Sequence, residues 1–217
     1  MSSDQERLLA RAAREVLPGQ IVNLGIGLPT RLFHYLPPEM EVLVHSENGV
    51  LGSQPVAQGA EPDLEMIDSG GAYIGTRPGA SVFDSALSFA MIRRNRIDIT
   101  FMGAFEVDQH GNLANWKIPG KFSPGIGGAM ELAQKVDKLV VLCSHNDKHG
   151  NPKILKRCRL PLTALHCVSR IITDKAVMQV TEAGLEVVDI AEGLDVASLR
   201  AATDAELIID ETRLGRF

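Results

Sequence analysis

The chain has 217 residues, with 22 Lys plus Arg against 27 Asp plus Glu, a net charge of −5, 45% apolar and 5% aromatic residues. That length accommodates one large domain or two small ones, and it buries enough surface to hold a core without disulfides or metals. The acidic balance and scarce aromatics exclude a dedicated nucleic-acid binder, and the composition excludes disorder and coiled coil.

The N-terminus, Met1 to Arg7, is polar and lacks the apolar stretch of a signal peptide. No apolar run approaches the roughly 20 residues that span a bilayer. Cys143, Cys158 and Cys167 are odd in number and form no C-x-x-C pair, as expected of reduced thiols in the cytoplasm.

Leu9, Ala12, Ala13, Val16 and Leu17 repeat at helical spacing, with Ser3 or Asp4 as cap and Pro18-Gly19 as the stop. Gln20 to Leu24 reads as a buried strand, broken by Gly25-Ile26-Gly27. Pro29 then starts a short helix to Tyr35, ended by Pro37-Pro38. Glu41 to His45 is a second strand, running into the turn Ser46-Glu47-Asn48-Gly49. Residues 51–81 are rich in Gly and Pro and predict no long element.

Asp84 caps a helix with the stripe Leu87, Ala90 and Met91, and Arg93-Arg94-Asn95-Arg96 closes it. Ile97 to Met102 is a strand, and Asp108 to Gly111 a hairpin turn. Gly127-Gly128 opens a helix with Ala129, Leu132, Ala133 and Val136 on one face. Leu139 to Cys143, Ser169 to Ile172, Ala176 to Val180 and Leu185 to Ile190 read as strands. Ala197 to Thr203 is a last helix. Alternating strands and helices predict a single α/β domain over 1–217, with an open, largely parallel twisted sheet flanked by helices. In such sheets ligands gather at the carboxyl ends of the strands, here Gly25-x-Gly27 and Ser46 to Gly49.

Asn23 to Thr30 imitates a dinucleotide fingerprint, with Glu47 about 20 residues beyond. Thr30 stands where the third glycine belongs, which favours a tight turn at a ligand cleft over a nicotinamide site. Glu47 is either a solvated turn carboxylate or a base, metal ligand or nucleophile at a strand end. Its apolar approach and the trailing Gly49 and Gly52 favour function. Gly125 to Met130 is either an anion or oxyanion site at a helix start or merely a flexible lead-in. His145-x-Asp147-x-His149 has metal-ligand residue types but the surroundings of a hydrated loop. The arginines at 93–96 complement a helix dipole, with phosphate binding as a secondary role.

Together Asn23 to Thr30, Ser46-Glu47-Asn48-Gly49, Pro78 to Ser81 and Ser88 to Arg93 resemble the B component of 3-oxoacid CoA-transferases. The resemblance continues through Gly111 to Trp116, Ile118 to Lys121, Gly127 to Met130, Leu160 to Thr163 and Arg170 to Asp174. It covers about residues 5 to 195. It implies a class I CoA-transferase with Glu47 as nucleophile and the backbone N–H of Gly128 in the oxyanion hole. Gly25, Gly27, Ser46, Asn48 and Gly127 are the expected substrate or CoA contacts. Coenzyme A enters as a substrate, with no permanent cofactor and no metal. The implied partner is a CoA-transferase A component, in an A2B2 assembly.

The chain departs from the family pattern at Asp68-Ser69-Gly70-Gly71-Ala72, which lacks a lysine near the CoA site. It departs again at Arg93 to Arg96, where relatives often carry Arg-Gly-Gly-His. A nicotinamide-dependent oxidoreductase and a non-catalytic ligand-binding chain are the alternatives.

Overall fold

The computed structural model describes residues 3–37, 39–123 and 125–217. Helix α1 (Ser3–Ala13) buries Leu8, Leu9 and Ala12. It ends a turn before the expected stripe does, so Val16 is buried while Leu17 is 57% exposed. Leu17 instead donates its N–H to the Gln20 side chain at 2.8 Å, closing the turn into β1 (Ile21–Leu24). A 3₁₀ helix spans Pro29–Tyr35, with proline in its first turn, and stops at Leu36 in extended conformation. Pro38, expected to end that helix together with Pro37, lies outside the described residues.

Strands β2 (Leu43–Ser46), β3 (Val50–Pro55) and β4 (Ile74–Val82) follow. The Gly- and Pro-rich stretch thus holds two strands that the sequence does not announce. β4 contains Gly75, Pro78 and Gly79, is largely exposed, and lies at the sheet edge, where proline and weak alternation are tolerated.

Helix α2 (Ser85–Arg93) is capped by Asp84, whose carboxylate accepts from the Leu87 N–H at 2.8 Å. The expected stripe is incorrect. Ser88 and Ile92 are buried, and Leu87 is 51% exposed. A hydrogen bond to a buried histidine, described below, turns Ser88 inward.

The remaining elements are β5 (Ile99–Met102), β6 (Glu106–Asp108), β7 (Leu113–Ala114), α3 (Ala129–Lys135), β8 (Leu139–Leu142) and β9 (Ile154–Leu155). After them come β10 (Arg170–Ile172), β11 (Ala176–Thr181), β12 (Gly184–Ile190), α4 (Val196–Ala201), β13 (Leu207–Ile208) and β14 (Gly215–Arg216).

The main sheet runs β13-β12-β11-β10-β8-β5-β1-β2-β3-β4, with β14 also on β12. Its centre, β10-β8-β5-β1-β2, is parallel throughout. Antiparallel pairs extend it on both sides, β2-β3-β4 and β10-β11-β12. A second small sheet, β7-β6-β9, packs on one face. Parallel strands covered on both faces are mostly apolar, and Leu139–Leu142 is wholly so. Val140 and Leu142 face the core under α1, whereas Leu139 and Val141 face the core under α3.

α1 is fastened to the sheet by charge. Glu15, 6% exposed, accepts from Arg11 at 2.8 Å and Arg170 at 2.6 Å, and pairs with Lys138 at 3.2 Å. Arg11 also reaches Asp189 at 2.7 Å. Burial would raise the Glu15 pKa, but the hydrogen bonds from Arg11 and Arg170 outweigh it and hold the carboxyl low. Glu15→Ala leaves Arg11 buried with one partner fewer, and should cost about 3–5 kcal/mol. The urea midpoint should fall accordingly at unchanged slope. A loss below about 1 kcal/mol would show that the network is solvated.

Candidate active site

The carboxyl ends of β1, β2, β5 and β8 open into one cleft of about 650 Å³. Gly25 and Ile26 form its wall after β1, Glu47 after β2, Gly103 to Phe105 after β5, and Cys143 and Ser144 after β8. The start of α3, Gly125 to Ala129, closes one side, and Ser69, Asn115, Trp116 and Lys153 complete the lining. The cleft lies where the strand-end rule directs attention.

Glu47 sits at the tip of the tight β2–β3 turn, half-buried. Gly49 closes that turn at φ +123°, and a Cβ there would collide with the Phe83 carbonyl oxygen. Gly128, at the N-terminal end of α3, faces the carboxylate. A Cβ on Gly128 would lie 3.1 Å from Glu47 Oε1 and 3.1 Å from Phe89 Cζ. The fold thus brings together two residues far apart in sequence.

The other candidate positions separate into two groups. Gly25 and Gly127 line the cleft with them. Gly25 is pressed on β5, its N–H donating to Phe101 O at 2.8 Å, and a Cβ would come within 2.9 Å of that oxygen. Gly27, Ser46 and Asn48 do not line it. Ser46 Oγ accepts from the Ser69 N–H at 2.9 Å, and Asn48 Nδ2 donates to Ile67 O at 2.7 Å. The residues flanking Glu47 therefore fasten the segment that carries Ser69 to the cleft rim. At Gly71, in the stretch where the expected family lysine is absent, a side chain would meet open space.

The His145 motif is no metal site. Both ring nitrogens of buried His145 are engaged, by Thr173 at 2.9 Å and Thr203 at 2.8 Å. Asp147 accepts instead from His149 N and from Asn151, closing a turn. The dinucleotide reading also fails on geometry. After Gly27 the chain forms a seven-residue 3₁₀ helix, with Thr30 Oγ1 donating back to Gly27 O, rather than an α-helix aimed at a pyrophosphate. Arg93 is occupied by a bidentate pair with Glu131, both contacts at 2.6 Å, which clamps α2 to α3.

A profile of the coenzyme A transferase family matches residues 5–199. The chain belongs to this family. It is 46% identical over 201 residues to the beta chain of an acetate CoA-transferase of Escherichia coli K12, covering 93% of this chain and 92% of the relative. It is 39% identical over 214 residues to the B chain of a probable succinyl-CoA:3-ketoacid coenzyme A transferase of Bacillus subtilis, covering 99% of each. Among solved structures, an acyl-CoA transferase apoenzyme from Escherichia coli O157:H7 superposes with a TM-score of 0.77 at 20% identity. That match covers all of this chain but 43% of the larger one, and it shows the shared fold. Neither the oxidoreductase nor the non-catalytic reading finds support among these relatives.

Beneath the cleft of this CoA-transferase chain lies a buried polar chain that the sequence did not reveal. Thr100 Oγ1 donates to Asn23 Oδ1 at 3.0 Å, and Asn23 Nδ2 lies 3.4 Å from His45 Nδ1. His45 Nε2 meets Ser88 Oγ at 2.9 Å. Asn23 offers a hydrogen to Nδ1, so Nε2 carries the proton and donates to Ser88. His45 lies two residues before Glu47, and Ser88 lies one residue before Phe89, which backs Gly128. Both sides of the site are thereby tied to one buried imidazole.

Burial pushes the His45 pKa down to about 4, from the usual 6.5. Between those values the unfolded chain takes up a proton that the folded chain refuses, so stability falls as pH drops from about 6.5 to 4. The part of this loss due to His45 should approach about 3 kcal/mol and be complete by about pH 4. His45→Gln can keep both hydrogen bonds without titrating. Urea midpoints measured across this window should show a shallower slope for the variant. Parallel slopes would mean that His45 takes up its proton as readily in the fold as in the unfolded chain.

Proposed function

We propose that this chain is the glutamate-bearing B component of a CoA-transferase that exchanges CoA between an acyl-CoA and a carboxylic acid. The supporting observation is the Glu47 carboxylate set against the side-chain-free start of α3. Glu47 attacks the acyl-CoA carbonyl, giving a mixed anhydride and CoA thiolate. The thiolate attacks the glutamyl carbonyl, releasing the first acid and leaving a glutamyl-CoA thioester. An incoming acid reverses both steps and regenerates the carboxylate. Donor and acceptor are chemically alike, so the thioester's energy is conserved without any further cofactor.

Each step passes through a tetrahedral oxyanion. The Gly128 N–H is the donor proposed to stabilise it, worth about 3–4 kcal/mol in a dry site. Gly25 and Gly127 allow the thioester to approach the backbone. The relatives are named as beta or B chains, which supports a partner chain of the A type. An A2B2 assembly in the cytoplasm is the arrangement proposed here. Among the described residues no helix is long and apolar enough to cross a membrane.

The test is covalent. Incubating the complex with acyl-CoA and no acceptor should add to this chain the mass of CoA less one water, mapped to the peptide containing Glu47. Glu47→Ala should abolish both adduct and transfer, and Glu47→Asp should lower transfer about 100-fold by withdrawing the carboxylate. An adduct elsewhere, or none, would end the assignment.

Gly128→Val should lower the transfer rate by about 100-fold or more, because its Cβ would crowd Glu47 Oε1. A folded variant with a near-normal rate would restrict Gly128 to shaping the start of α3.

A further inference from the structure

Pro78 to Ser81 stood out in the sequence, and the reaction proposed at Glu47 does not use it. In the structure it belongs to a bulge. Leu51 pairs with Ser81 and Ser53 with Thr76, so the single residue Gly52 on β3 faces the four residues Arg77 to Ala80 on β4. A bulge re-aims the side chains it carries. Gly52, at φ +89°, leaves the room: a Cβ there would lie 3.2 Å from Arg77 Cγ and 3.0 Å from Ala80 Cβ. The Arg77 stem therefore lies against Gly52, and its guanidinium is fixed at the far end by a 2.6 Å bond from Nη1 to Val42 O.

Val42 and Arg77 both line a second cavity, of about 210 Å³, between the 3₁₀ helix and the β3–β4 edge. It shares no lining residue with the cleft. Val42 precedes β2 and Glu47 follows it, which places the two about 16 Å apart along the strand. Phe33 and Leu36 from the helix, Met40 and Val42 from the lead into β2, and Pro78 from the bulge make the walls apolar. Ser53 and Gln54 complete the polar lining, but their side chains donate to Val44 O and Thr76 O. Arg77 is the one charged residue among the described lining. Its guanidinium makes that one hydrogen bond and no ion pair with any described residue, which leaves most of its donors unused.

A half-buried guanidinium without an acid is best satisfied by an anion, and its planar fork matches a carboxylate. With one cation in the site, a monoanion balances the charge and a dianion does not. The apolar walls call for a carbon chain behind the head group. The volume limits the whole ligand to about seven non-hydrogen atoms, at about 30 Å³ each.

We infer that this cavity is a second ligand site, which takes a short-chain monocarboxylate with its carboxylate on Arg77 and its tail between Phe33, Leu36 and Met40. The site does not depend on the Glu47 reading. A ligand there joins the 3₁₀ helix to the exposed β4 edge.

Pentanoate has the required size, and pentanamide is its uncharged counterpart. The complex is assembled with this chain alone labelled at its methionine methyls, and each compound is titrated in by NMR. Met40 reports on this cavity and Met102 on the cleft. Pentanoate should shift the Met40 resonance to saturation. Pentanamide should bind there about 10-fold or more weakly, the worth of one charged hydrogen bond. Arg77→Leu should weaken pentanoate at Met40 by a similar factor, while the ligand-free Met102 resonance stays in place. The comparison of the two compounds uses the wild type alone, so it decides even where Arg77→Leu does not fold.

A Met40 resonance that stays fixed throughout the titration, or that follows pentanamide as closely as pentanoate, would overturn the proposal. So would a folded Arg77→Leu variant that binds pentanoate as the wild type does.

Discussion

A carboxylate at the end of one strand and the N-terminal turn of a helix can share a wall only if no side chain stands between them. Position 128 meets that constraint, with Glu47 Oε1 and Phe89 Cζ both 3.1 Å from where a Cβ would be. Most of the surrounding structure can be read as holding that approach. Phe89 is carried by α2, which is seated by the Ser88–His45 bond on one side and by the Arg93–Glu131 clamp on the other. Phe89 and the start of α3 are thereby held from two sides against the Glu47 turn.

The scaffold achieves this with two kinds of fastening. The central parallel strands are fixed by apolar burial on both faces, which is strong but non-directional. The polar contacts add direction at points where sliding would matter. Asn23, Thr100 and His45 tie β1, β5 and β2 in register beneath the cleft. Ser46 and Asn48 tie the 67–72 segment to the Glu47 turn. These two residues sit within one position of the proposed nucleophile yet face away from it. Both side chains hold the turn to that segment.

The central strands were legible because a parallel strand buried on both faces is short and mostly apolar; 139–142 is wholly so, and 21–24 and 170–172 are interrupted only by Asn23 and Arg170. Glu47 and Gly128 were legible through a family resemblance and through their place at a strand end and a helix start. Strands β3 and β4 were not, because an exposed edge rich in glycine and proline carries no alternation to read. The α2 stripe failed for a different reason: one buried hydrogen bond to Ser88 outweighed the preference of Leu87 for burial. Lys153 gave no signal at all. It lies in a polar loop indistinguishable from solvent-facing sequence, and its backbone bonds to His145 and Val107 bring it to the cleft.

The chemistry proposed for Glu47 sets a demand that this chain does not meet alone. Both the anhydride and the thioester are destroyed by water, so the reacting carbonyl needs a dry environment. The cleft is apolar on the sheet side, where Leu142 and Cys143 are buried. At its mouth, however, Ile26 is 66% exposed and Phe105 39% exposed. Large apolar groups at a reaction cleft are costly to leave in water and favourable to cover. Covering them with the proposed A-type partner would bury apolar surface and exclude water in the same event. The single chain then supplies the carboxylate and the helix start, and the exclusion of water is left to association.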